Sequence, residues 1–170
     1  IDAGRSYQTC CELVGGKVIE FGDGSDMCIN PFDGIYDRKQ LESEELDHLT
    51  SVCLQMAFPE TYGDLNQTGG KQMEVKEDER KVIQRLIPEA WELCMQDNRT
   101  MSVRDVRNAI IREYEELEKA VLSNERLATQ KRLACYESLI NNLYDWAEGA
   151  RSRWVVGQSN LSFDNPFIIL

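Results

Sequence analysis

One glycine-rich stretch has residue types that could bind phosphate: GDLNQTGGKQ, at residues 63–72. A phosphate-binding loop follows the pattern G-x-x-x-x-G-K-[ST], because its glycines let backbone N–H groups surround the phosphates and its hydroxyl holds Mg²⁺. With Gly70 and Lys71 in place, the first glycine position holds Leu65 and the hydroxyl position holds Gln72. The required pattern is broken at both of these positions, so we interpret the stretch as a glycine-rich linker before a helix.

The acidic residues and the single histidine do not have the spacing of a metal site. Asp23, Asp26 and Asp33 lack the order of alternate oxygen ligands, central glycine and late glutamate that a calcium loop needs. His48 and Cys53 alone supply neither a tetrahedral metal site nor a catalytic pair with a third orienting group. We therefore predict no catalytic residue and no metal site, with His48 on a helix flank and Cys53 packed inside.

Arg151 and Arg153, which flank Ser152 next to Trp154, form the most distinctive basic cluster of the sequence. An arginine in a loop before a strand could contact a phosphate held by a neighbouring subunit. The alternative is an ordinary surface pair between an arginine and a carboxylate, and the sequence leaves both interpretations open.

The overall charge argues against one broad class of partner. The chain has 170 residues, of which 30 are acidic and 19 basic, giving a net charge of −11. Such a surface is poorly suited to neutralising phosphates, so we predict no direct nucleic-acid binding. No apolar run approaches the ~20 residues that span a bilayer, so we also predict no membrane insertion. We interpret the six cysteines as reduced thiols of a cytosolic protein.

The middle of the chain has the periodicity of amphipathic helices. We predict helices at about 40–57, 71–97, 102–121 and 125–148. Pro88 lies within the second helix and is expected to kink or break it and to open a new helix. Ser102 and Asp105 resemble a capping box at the start of the third helix, and Gly149 is expected to end the fourth. The apolar stripes of these helices can bury one another, as in a helix bundle.

The two ends of the chain have patterns typical of α/β structure. A short helix is predicted to stop at Gly15-Gly16, and KVIEFG at 17–22 and PFIIL at 166–170 are predicted as strands. Consecutive apolar residues suit a strand covered on both faces, as in a parallel sheet. Four helices do not supply such a sheet, so we expect the chain to be a segment cut from a larger protein.

Several of these stretches together resemble one protein family. IDAGRSYQTCCELVGGKVIEFGDGSDMCINPFD, at 1–33, is similar to the segment after the phosphate loop in the TraC family of conjugation and type IV secretion ATPases, which carries ID-x-GRSY, GG-x-x-I-x-F and INPF in this order. SRWVVGQSNLSFDNPFIIL, at 152–170, resembles that family's run of an aromatic residue, a glycine, N-L-x-F and P-F entering a core strand. The middle helices match in arrangement only.

The resemblance implies a mainly helical α+β chain, namely the all-α subdomain of a RecA-like P-loop ATPase domain flanked by a few strands of its incomplete α/β sheet. Residues 1–36 would be the strand–helix–strand part of the ATPase core and 37–149 the helical subdomain. Residues 150–170 would be the loop and strand that return to the core.

The resemblance also implies where a nucleotide lies in the parent protein. Asp2, Arg5, Ser6 and Tyr7 match the strand end and helix start beside the family's nucleotide site, and Arg153 matches a recurrent basic residue. The family's phosphate loop lies upstream of the matched region and its Mg²⁺-positioning acidic strand lies downstream. ATP and Mg²⁺ are therefore expected in the parent protein, whereas this chain is expected to hold no cofactor and not to hydrolyse ATP.

The implied function is that of a motor that energises pilus assembly and the transfer of DNA or protein. The parent would form a hexamer with itself and contact other secretion-system subunits, in the cytoplasm at the inner-membrane face. The alternative, from the residues alone, is a self-contained acidic helical adaptor that mediates protein–protein contacts.

Overall fold

Helices dominate the part of the chain that the structure describes. The computed structural model describes residues 6–18, 26–42, 44–62, 77–121, 127–160 and 168–169, and 72% of these residues are helical. The prediction of a mainly helical chain is therefore confirmed. The elements are α1 (Ser6–Leu13), β1 (Lys17–Val18), a 3₁₀ helix (Arg38–Glu42), α2 (Glu44–Ala57), α3 (Pro59–Tyr62), α4 (Glu77–Gln96), α5 (Val103–Val121), α6 (Leu127–Asn142), α7 (Tyr144–Ala147), α8 (Ser152–Val155) and β2 (Ile168–Ile169).

The four long helices, α2, α4, α5 and α6, pack around one hydrophobic core. α4 contacts the other three, and α5 contacts α6. Each helix contributes fully buried side chains: Leu49 and Leu54 of α2, Ile83 and Ile87 of α4, Val103 and Ile110 of α5, and Tyr136 and Leu139 of α6. Since burying one such side chain stabilises a fold by about 1.5–3 kcal/mol, this shared core is the main source of stability.

Polar contacts near the helix ends show the relative directions of the helices. Arg99, just after the end of α4, donates to Asp105 in the first turn of α5 at 2.6 Å. Arg107, near the start of α5, donates to the carbonyl of Ile140 near the end of α6 at 2.9 Å. α5 is therefore antiparallel to both neighbours, and α4 and α6 run parallel to each other.

The start of α5 has the predicted cap in part. The Ser102 N–H and hydroxyl both donate to Asp105 Oδ2, at 2.8 and 3.0 Å. Both residues are buried, so the carboxylate satisfies a backbone donor at a helix end where no helical partner exists. This contact is one half of a capping box, in which the side chain of the third helical residue accepts a hydrogen bond from the backbone N–H of the cap residue.

Two details of the predicted helices are wrong. α4 continues through Pro88, so no new helix opens there; the proline is buried with Ile87 and Ala90, and packing of this face outweighs a local cost of about 3 kcal/mol. The fourth predicted helix is divided into α6 and α7 around the fully buried Leu143. The loop predicted before the final strand contains the short helix α8, and the short helix α3 lies between the first two predicted helices.

Two short parallel strands, β1 and β2, are the strands found in the described part of the chain. Lys17 pairs with Ile168 and Val18 pairs with Ile169. α1 contacts both strands, and it is followed by Gly15 at φ 73°, the left-handed position expected of a terminating glycine. The remainder of the predicted strands lies outside the described residues, so a RecA-like sheet stays a prediction.

The core contains cysteines whose thiols are held in the neutral form. Cys53 is fully buried on α2, and this burial raises its pKa from 9.0 to about 12. His48 is exposed on the same helix. The predictions that His48 lies on a helix flank and that Cys53 is packed inside are both confirmed.

The free energy of unfolding is expected to fall above pH 9 with a contribution from Cys53. The thiol of the unfolded chain ionises near 9.0, whereas the buried thiol ionises near 12, so the folded state binds this proton more tightly. Cys53 contributes its full stabilisation below pH 9. Above pH 9 this contribution falls by about 1.4 kcal/mol per pH unit. Urea unfolding measures the free energy of unfolding at several values between about pH 8 and about pH 10.5. The slope of this free energy against pH should be shallower for Cys53→Ala than for the control Cys10→Ala, which removes an exposed thiol. Equal slopes for the two variants would contradict the prediction.

Candidate functional site

Two segments far apart in sequence, 26–33 and 154–160, are joined by hydrogen bonds into a structure that we call the Asn30 junction. The first segment precedes the helical core and the second follows it. The Ile29 N–H donates to the carbonyl of Trp154 at 2.7 Å, and the Asn160 N–H donates to the carbonyl of Cys28 at 3.1 Å. The polypeptide therefore enters and leaves the helical core at neighbouring points.

The Asn30 side chain is the centre of this junction. It is 4% exposed, and its amide nitrogen donates to the carbonyls of Met101 at 2.7 Å and Gly157 at 2.8 Å. Its amide oxygen accepts the Phe32 N–H at 3.1 Å. Because a buried amide is costly unless it is paired, these three bonds fix the segments before α5 and after α8 against the turn at 31–34.

The local conformation follows from the sequence Asn-Pro. A residue that precedes proline avoids the helical region, so the sequence favours extended backbone at Asn30. The bond from Phe32 N–H to the Asn30 side chain is an Asx turn, which asparagine forms readily at such positions. Asn30 is thus suited both to begin the turn and to bind the distant segment.

Ser159 and Asn160 supply the second set of contacts. The Asn30 N–H donates to Ser159 Oγ at 2.9 Å, and the Ser159 N–H donates to the Asp33 carboxylate. Asn160 accepts the Cys28 N–H at 2.9 Å and donates to the Asp26 carbonyl at 2.7 Å. Backbone groups without regular secondary structure are paired in this way by side chains of the other segment.

The two remaining features of the junction concern Gly157 and Cys28. Gly157 has φ 143°, a conformation that side-chain-bearing residues rarely adopt. Cys28 is buried, and burial together with the Asp33 carboxylate raises its thiol pKa. The thiol therefore stays protonated near neutral pH and is a poor nucleophile, and the contacts of the junction join two segments of the chain.

The predicted nucleotide-adjacent residues are only partly within the described structure. Ser6 and Tyr7 begin α1, the helix that contacts both strands. Asp2 and Arg5 lie outside the described residues. The structure thus places this pair at the start of α1, and their relation to a nucleotide stays a prediction.

The predicted inter-subunit arginines lie on the surface next to tryptophans. Arg151 Nε lies 3.1 Å from the Asp145 carboxylate, and its guanidinium lies 5.0 Å from the Trp146 ring. Arg153 is exposed and lies 5.0 Å from the Trp154 ring. Arg151 thus forms the surface pair that was the alternative interpretation, and a role for either arginine at a neighbouring subunit stays a prediction.

A shallow depression of about 230 Å³ adjoins the junction. Phe32 and Met101 line it from the junction side, together with Trp91, Tyr36 and Arg99. Its lining mixes aromatic and apolar side chains with polar ones, and the Arg99 guanidinium is held by Asp105 at 2.6 Å. No nucleophile–base pair faces it among the residues that the structure describes.

Comparisons with known proteins give no independent assignment. No family model, curated protein or solved structure was found to match the chain. Within the described ranges, no group of three or more metal-binding side chains occurs, and no helix is both long and apolar enough to cross a bilayer. Functional assignment therefore depends on the residues and on their geometry.

Proposed function

We propose that this chain is the helical subdomain, with adjoining strands, of a type IV secretion or conjugative-transfer motor ATPase. The parent protein would bind ATP and Mg²⁺ on a RecA-like sheet, form a hexamer at the cytoplasmic face of the inner membrane, and energise pilus assembly and the transfer of DNA or protein. The chain itself lacks a complete phosphate-loop pattern and would not hydrolyse ATP.

The observation that carries this proposal is the Asn30 junction. The resemblance rests on motifs in two flanks, INPF at 29–32 and the aromatic–glycine–asparagine run at 154–160. Asn30 bonds across 127 residues to Gly157, and its backbone bonds across 129 residues to Ser159. Two motifs that resemble one family separately are therefore in direct contact, as expected if both belong to one conserved arrangement of that family.

The strand pair gives further support. β1 and β2 are parallel and α1 contacts both, an arrangement typical of α/β sheets, in which helices cover parallel strands. In the proposed function this pair is the edge of the ATPase core, and the helices between are an insertion into it. The adaptor alternative is favoured by a different observation, the complete four-helix core with its own apolar interior.

ATP hydrolysis distinguishes the two functions. We expect the product of the complete coding sequence that contains these residues to hydrolyse ATP with Mg²⁺, and the 170-residue chain alone to show no turnover. Replacing the upstream phosphate-loop lysine in the complete protein should abolish hydrolysis, typically by a factor of 10³ or more. A coding sequence with no phosphate loop upstream would refute the motor proposal and leave the adaptor, whereas turnover by the chain alone would refute both.

A further inference from the structure

A groove of about 430 Å³ lies between α4 and α6, on the side of the helical core away from the cap of α5. Lys81 and Arg85 line it from α4, and Lys131 and Arg132 line it from α6. The half-buried Val82 and Cys135 contribute its apolar floor, whereas Tyr136, at 1% exposed, belongs to the core next to it. Asp78 is the acidic residue among those that line it.

The positions of these residues follow from helix geometry. Lys81 and Arg85 are four residues apart, so they share one face of α4. Lys131 and Arg132 lie one turn before Tyr136 on α6, the helix that runs parallel to α4. Cations therefore stand along both sides of a channel between two parallel helices.

All four cations are exposed, and two of them, Arg85 and Arg132, interact with the Tyr136 hydroxyl. Arg85 donates to this hydroxyl at 2.9 Å and to the Glu113 carboxylate at 2.5 Å. Lys81 lies 3.5 Å from Glu77 in an exposed i,i+4 pair, and such exposed pairs are weak enough to exchange for another carboxylate.

The groove is rich in basic side chains, whereas the chain is acidic overall. Four of the 19 basic residues line this one feature of a protein whose net charge is −11. A long polyanion such as DNA would extend beyond the groove and meet the acidic surface, which disfavours it. A short acidic segment fits within the basic region alone.

We propose that the α4–α6 groove docks an acidic amphipathic helix of a partner protein. Its glutamate or aspartate side chains pair with Lys81, Lys131 and Arg132, and its apolar face covers Val82 and Cys135, which are half-buried in the groove. A channel between two parallel helices accommodates a third helix in the helix-in-groove mode, and charge complementarity sets its orientation. The proposal concerns a surface of the helical core and does not depend on the motor function.

The test uses the whole chain and a fluorescent helical peptide of about 16 residues that has leucines at i, i+3, i+4 and i+7 and glutamates flanking them. We expect binding at about 0.05 M salt that Lys131→Glu/Arg132→Glu weakens at least about tenfold. The matched control Arg112→Glu/Lys119→Glu makes the same charge change at exposed positions of α5 and should change affinity by less than about twofold. Circular dichroism of both variants verifies that the helices are retained.

Three results would overturn the proposal. The first is equal loss of binding in the control variant, because the effect is then net charge rather than the groove. The second is undiminished binding of a peptide with glutamine in place of glutamate. The third is binding of a single-stranded DNA oligonucleotide at least as tight as that of the peptide, with the same dependence on Lys131 and Arg132, which would make the groove a nucleic-acid site.

Discussion

Asn30→Ala is expected to lower the free energy of unfolding by about 2–4 kcal/mol. The substitution removes three hydrogen bonds and leaves the carbonyls of Met101 and Gly157 and the N–H of Phe32 without their partner. Each unpaired buried polar group costs about 1–3 kcal/mol, although water entering the space would recover a part of this. Urea unfolding of the variant and the wild type gives the difference directly.

Two control variants distinguish the junction from a general effect of losing an asparagine. Asn142→Ala removes an exposed amide with one long contact, 3.4 Å to Ser138, and should change stability by less than about 0.5 kcal/mol. Asn30→Asp keeps the acceptor for Phe32 but turns a carboxylate towards two carbonyls, so it should be less stable at pH 7 than at pH 4, where the introduced group is protonated. A loss for Asn30→Ala no larger than that for Asn142→Ala would mean that the junction does not hold the two segments together.

Tyr136→Ala is expected to have the second large effect, a loss of about 3–5 kcal/mol. Tyr136 is 1% exposed and is the largest fully buried side chain of the core, at the place where α4, α5 and α6 meet. Removing its ring leaves a cavity that the three packed helices cannot fill without moving, and the cost of such cavities dominates large-to-small substitutions. Thermal or urea unfolding measures the loss.

Tyr136→Phe separates the packing of the ring from the hydrogen bond of its hydroxyl. The ring stays, but Arg85 loses the acceptor 2.9 Å away, so we expect a loss of about 1 kcal/mol. Burial, and then the Glu113 carboxylate, raise the pKa of Tyr136; the phenol is therefore neutral near pH 7, and the phenylalanine variant changes no charge. Losses of similar size in the two variants would show that the hydroxyl rather than the ring dominates.

The helical core could be predicted from the sequence because its signal is local. Val103, Val106 and Ile110 repeat at the helical period, and all three are buried on α5. Pro88 shows the limit of such reasoning, since the local preference of proline for a helix start is overridden by the burial of the whole face. Leu143 shows a second limit of such reasoning. The helical periodicity of the sequence continues across this residue, although the structure separates α6 from α7 there.

The Asn30 junction could not be predicted from periodicity, because its side-chain bonds join the two segments across 126 to 134 residues. Sequence reasoning singled out INPF and the later glycine–asparagine run, which includes Asn160, as resemblances only. The partners of the Asn30 side chain depend on how the helical core brings the later segment back, which only the folded backbone specifies.

Ile29 and Trp154 are joined by a 2.7 Å hydrogen bond. The helices between these two residues therefore form a unit whose two ends are adjacent. Protein units of this kind can be inserted into a surface loop of a host without stretching it, because the host needs to open by only the distance between two bonded backbones. Related chains could therefore exchange this helical unit as a whole. Such an exchange would alter the surface presented to partners while the host retains its own fold.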